Sequence, residues 1–75
     1  MIDVEKLNDI YANYIDLEYD MRCLLKLLSL YEEYYGYNGN YELKDSIHII
    51  SGIVSVEQKK LLDGNENFDK FLLEI

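Results

Sequence analysis

Proline is absent from this 75-residue chain, and no glycine occurs between Asp3 and Tyr35, so nothing in the backbone chemistry of that stretch interrupts a helix. Cysteine occurs once, as Cys23, and histidine once, as His48. A single thiol cannot close an internal bridge. The lack of a cysteine framework argues against a secreted disulfide scaffold and for a reducing, cytoplasmic setting. A domain this short keeps much of its surface in water, so its core is thin, and neither a disulfide nor a zinc site can reinforce it. Self-association or a partner chain remains.

Long apolar runs are also missing. The longest is a few residues, against the ~20 that a membrane span requires, and no charged segment followed by an apolar stretch opens the chain. Bases are few: seven Lys and Arg against fifteen Asp and Glu give a net charge of −8. That balance opposes direct binding to nucleic acid or anionic lipid and favours a basic protein partner, although solubility alone also accounts for it. No glycine-rich phosphate loop, nucleophile elbow, zinc spacing or paired catalytic motif occurs, so neither an enzyme nor a cofactor site is expected.

What is present is a heptad rhythm. Leu7, Ile10, Tyr14, Leu17, Met21, Leu24, Leu28, Tyr31 and Tyr35 succeed one another at alternating spacings of three and four, the pattern of a helix lying along another helix. Asp3, Glu5 and Asp9 suit the positive end of such a helix, and Gly36 is placed to end it in a left-handed conformation. The segment from Gly36 to Asn40 reads as a turn, with Asn40 able to cap a second helix; Asn38-Gly39 is also a hairpin signal for two strands.

Leu43, Ile47, Ile50, Val54 and Leu61 continue the rhythm, with Glu57 in one polar slot. The β-branched run from Ile47 to Val56, broken at Ser51-Gly52, would suit a strand pair as well as a helix. A mid-helix Gly52 implies close approach of a neighbouring backbone. Asp63-Gly64 reads as a stop, after which Asn65 or Asn67 caps a last helix with Phe68, Phe71, Leu72 and Ile75 on one face. The expected fold is therefore all-α and a single domain, 1–75. A long N-terminal helix (about 3–35) packs antiparallel on a second helix (about 41–62), with a short C-terminal helix (about 66–74) after it.

About 33 helical residues span roughly 50 Å, whereas a compact 75-residue globule has a radius of gyration of ~11 Å. The helix outruns its own domain, and its apolar flank changes sides from Val4, Tyr11, Ile15 and Tyr19 to Leu27, Leu30 and Tyr34. A homodimeric helical bundle is the resulting expectation, with Leu17, Met21, Leu24, Leu27, Leu28 and Tyr31 at the dimer interface. The competing arrangement is a compact three-helix monomer kinked near Asn13 or Asp16.

Two features suit a basic partner. The acids Glu5, Asp9, Asp16 and Asp20 line the side of the first helix away from its seam, where they form either a binding ridge or a solvated face. Eight tyrosines occur, and Tyr34, Tyr37 and Tyr41 crowd the turn beside Glu32, Glu33 and Glu42, supplying contact area at low entropic cost. Tyr31 and Tyr35 read as the last seam positions. Asp45 and His48 share a helix face but lack the further inward carboxylates that a metal site needs. Cys23 reads as a small buried hydrophobe.

In size, charge and helicity the chain resembles small acidic helical proteins of phages and bacteria that act by binding another protein, such as toxin immunity proteins and inhibitors of defence nucleases. That resemblance implies a protein-binding regulator or inhibitor. The alternative is a structural or assembly subunit whose role is the homodimeric bundle itself.

Overall fold

The protein's structure, a computed structural model, describes residues 3–74. Two helices of equal length make up the fold: α1, Val4–Tyr37, and α2, Tyr41–Glu74, each of 34 residues, packed antiparallel as a hairpin. No strand occurs among the described residues, so neither the two-strand reading of Asn38-Gly39 nor that of 46–56 holds.

Local chemistry explains the ends. Asp3, in extended conformation, accepts a hydrogen bond at its side chain from the Lys6 backbone N–H at 3.1 Å and so caps α1. At the other end the left-handed residue is Gly39, with φ of 74°, and not Gly36, which lies within the helix. The Asn40 N–H donates to the Tyr35 carbonyl at 2.9 Å and the Gly39 N–H to the Gly36 carbonyl at 3.3 Å, the paired bonds of a Schellman turn. Asn40 serves both helices, because its side-chain oxygen accepts from the Leu43 N–H at 3.3 Å as the cap of α2. Gly36 matters for space: a Cβ there would come within 3.3 Å of the Lys44 side chain, where the helices leave the turn side by side.

The expected stop at Asp63-Gly64 does not occur. α2 runs through it to Glu74, so 66–74 is the last part of α2 and not a third helix. Packing overrides the local signals: Leu61, Asn65, Phe68 and Leu72 carry the helix-facing row past Gly64, and Asn65, expected as a possible cap, is instead buried in the seam. The Asn65 side-chain amide donates to the Tyr14 carbonyl at 3.2 Å, and the Tyr11 and Phe68 rings meet with centroids 5.5 Å apart. Ile75 lies outside the described residues. Gly52 is also mid-helix, but the close approach expected there is absent, since a Cβ would meet nothing within 4 Å.

α1 is unbroken past Asn13 and Asp16, and the molecule measures 58 × 15 × 14 Å with a radius of gyration of 17.0 Å, well above the ~11 Å of a compact chain this long. Two helices alone cannot enclose an interior. Among the described residues no hydrophobic side chain is buried, and the three buried side chains are polar: Glu18, Gln58 and Asn65.

Candidate interaction surface

Along α1 the residues turned toward α2 are Leu7, Tyr11, Glu18, Met21, Leu25, Leu28, Glu32 and Tyr35, each half-buried or better. Of the heptad row Leu7, Tyr14, Met21, Leu28 and Tyr35 expected in the seam, Tyr14 is 47% exposed and the other four face α2, but their companions are different. Ile10, Leu17, Leu24 and Tyr31, read as seam residues, are 40%, 48%, 42% and 48% exposed, and the residue following each of them faces α2 instead.

The same displacement occurs on α2. Ile47, Val54, Leu61 and Phe68 face α1 together with Lys44, Ser51, Gln58 and Asn65, whereas Leu43, Ile50 and Phe71 remain exposed. One of the two rows that α2 turns inward is thus polar at seven-residue intervals. On α1 the buried side chain among the described residues is Glu18, only 4% exposed, which takes a hydrogen bond from Arg22 Nε one turn along, and Arg22 in turn lies 5.6 Å over the Tyr19 ring. The Ser51 hydroxyl is buried without a hydrogen-bond partner among the described residues.

The displaced apolar rows of the two helices come together on one side of the hairpin. Ile10 and Tyr14 of α1 line a groove of about 260 Å³ with Leu61, Gly64 and Phe68 of α2. Leu17 and Met21 line another with Glu57, Lys60 and Leu61. The charged members of these grooves are Glu57 and Lys60, paired at 3.4 Å. Toward the turn Leu27, Leu30, Tyr31 and Tyr34 line an apolar hollow on α1 alone, running from the edge of this side round to the outer side of the helix. This open face gathers the residues read as a dimer interface: Leu17, Leu24 and Tyr31 lie on it, Leu27 flanks it, and Met21 and Leu28 are half-buried at its junction with α2.

The acids expected to meet a basic partner lie elsewhere. Glu5, Asp9, Asp16 and Asp20 are all exposed, with Glu5, Asp9 and Asp16 on the side of α1 away from α2 and Asp20 at the outer edge of the open face. Tyr34, Tyr37 and Tyr41 surround the turn and are 61%, 97% and 62% exposed. Tyr34 makes an edge contact with Tyr35 at 5.3 Å, and Tyr35 stacks on Tyr31 at 6.4 Å. Ridge and tyrosine end are therefore separate surfaces, joined by α1.

His48 turns its Nδ1 to Glu32 Oε1 at 2.9 Å, tying α2 to α1 near the turn and leaving Asp45 aside. No group of three or more His, Cys, Asp or Glu placed to hold a metal ion occurs among the described residues. Cys23, read as buried, is exposed on the outer side of α1. Tyr11 has its phenol pushed above the ordinary range by desolvation first and by the nearby Asp69 carboxylate second. No described helix is long and apolar enough to cross a membrane. Comparison with protein-family models, curated proteins and solved structures returns no match.

Proposed function

We propose that this chain is a protein-interaction module: a small acidic regulator or inhibitor that acts by contact with a basic partner, performs no catalytic step, and completes its core with helices of another polypeptide in a dimeric bundle. The observation that carries the reading is the open face. A helix pair that leaves Ile10, Leu17, Leu24, Ile50 and Phe71 in water while burying only polar side chains is half of a packed structure. Covering such a face removes apolar area from water at ~25 cal/mol per Å².

Covering it leaves Glu5, Asp9 and Asp16 free, together with Tyr37 and Tyr41 at the turn. Their charge would attract a basic surface at long range, and the exposed aromatic rings would supply contact once it arrives. The test is capture with the immobilised chain beside its Asp9→Lys/Asp16→Lys variant. A basic protein held at low salt, released as salt rises and not held by the variant supports the proposal, because such attraction is screened within ~10 Å at 0.1 M salt. Capture indifferent to both salt and charge reversal refutes the acidic contact. The second reading, an assembly subunit whose role is the bundle, is favoured by the same open face and calls for self-association that salt does not weaken.

A further inference from the structure

On each helix the apolar stripe and the direction of the neighbouring helix share one heptad row and differ in the other by a single residue: Leu17 and Leu24 against Glu18 and Leu25 on α1, Ile50 and Glu57 against Ser51 and Gln58 on α2. One residue turns a helix by about 100°, so each stripe points about 50° away from the neighbouring helix. Both turn to the same side, where the grooves join them. Half a right angle from the neighbour is the direction of the centre in a square of four helices. Two helices are here and two are wanted.

The open face is also its own complement. Tyr14 lies level with Asn65 and Tyr11 with Phe68, so each step up α1 is a step down α2. Counting on, the level between Asp20 and Met21 on α1 is the level between Gln58 and Lys59 on α2. A twofold axis crossing both helices at that level sets Leu17 against Leu24 and Ile10 against Tyr31 of a second copy. On α2 the same axis sets Glu57 against Lys60, so the charged pair within the face meets its opposite signs. It also brings Ile53, 61% exposed, to Gly64, where the α2 surface is open. An axis running along the helices instead would lay Glu57 on the Met21 and Leu24 of the other copy without a second cation. The face, 58 Å long and 15 Å wide, offers roughly 800 Å² per copy, the size of a standard stable interface.

We infer that the partner on the open face is a second copy of this chain, stacked about a twofold axis across the helices with the two turns at opposite ends. This rests on the proposal that another polypeptide completes the core, and it names that polypeptide. The resulting four-helix bundle carries an acidic ridge on each α1 and an exposed tyrosine cluster at each end.

The experiment combines sedimentation of the full chain with cysteine cross-linking in a Cys23→Ser background. Leu17→Cys and Leu24→Cys together form a disulfide-linked dimer on mild oxidation. Either alone does not, and neither does the back-face pair Asp9→Cys/Asp16→Cys of identical spacing. Bridging within one chain is excluded, because two turns separate the thiols by ~10.5 Å, beyond the ~7 Å Cα limit of a disulfide. Sedimentation of the unmodified chain gives a dimer that added salt does not dissociate. A monomer at micromolar concentration with its helicity intact overturns the inference, as does linkage through the back-face pair equal to that through the Leu17 and Leu24 positions. A monomer that still captures a partner through Asp9 and Asp16 removes the second copy alone. A twofold dimer with no ridge-dependent partner removes the basic-partner reading alone.

Discussion

Gly52 and Gly64 form a matched pair of probes, and replacing each by alanine measures two different things. Both lie inside α2, neither has a positive φ, and a Cβ at either would meet nothing within 4 Å of its own chain. In a helix interior Gly→Ala contributes about 1 kcal/mol, largely by removing freedom from the unfolded chain. Gly52→Ala should therefore raise the folded-to-unfolded ratio about fivefold and the melting temperature by about 4–8 °C for a domain this small. Gly64→Ala has the same intrinsic gain, but in the twofold pair its methyl enters the space that Ile53 of the second copy fills. Overpacking of about 1–3 kcal/mol offsets the gain. Urea unfolding followed by circular dichroism, at two protein concentrations because dissociation is coupled to unfolding, gives the ranking Gly52→Ala above wild type and wild type at or above Gly64→Ala. Equal gains at both positions would show the Gly64 surface to be empty. A Gly52→Ala protein no more stable than wild type would refute a continuous α2 through Ser51-Gly52.

The polar seam and its edges give further outcomes. Ser51→Ala removes a buried hydroxyl with no partner and improves helix propensity, so stability rises by roughly 1 kcal/mol in the same unfolding assay; a loss would reveal a hydrogen bond to that oxygen. Tyr11 keeps its proton more tightly when folded, so its contribution to stability is complete below the ordinary tyrosine value near ~10 and is lost as pH rises through the raised one. Ultraviolet difference titration against Tyr11→Phe should isolate a component above that range, and Asp69→Asn should move it down. A component at or below the ordinary value contradicts the burial and charge assigned to it.

Much of α1 was legible because its signals agree with one another: an uninterrupted heptad row, Asp3 before it and glycine after it. The turn was legible from Asn38-Gly39-Asn40, though the positive φ fell on Gly39, since the Schellman bonds require the left-handed residue one step beyond the cap. The end of α2 was misplaced because Asp63-Gly64 is a local stop, and local stops yield when side chains beyond them have somewhere to pack. Asn65 passed as a cap for the same reason. A signal that could have found it is the seven-residue spacing of Lys44, Ser51, Gln58 and Asn65, a polar row that only contact with another helix would bury.

By itself, the order of residues determined that two apolar rows run along one side of a rod and that the outer side of α1 is acidic, since periodicity and charge are properties of a single chain. It could not determine which row faces which helix. That depends on how the two helices turn against each other, and only the tertiary structure, by turning Glu18 and Gln58 inward and leaving Leu17, Leu24 and Ile50 in water, decided it.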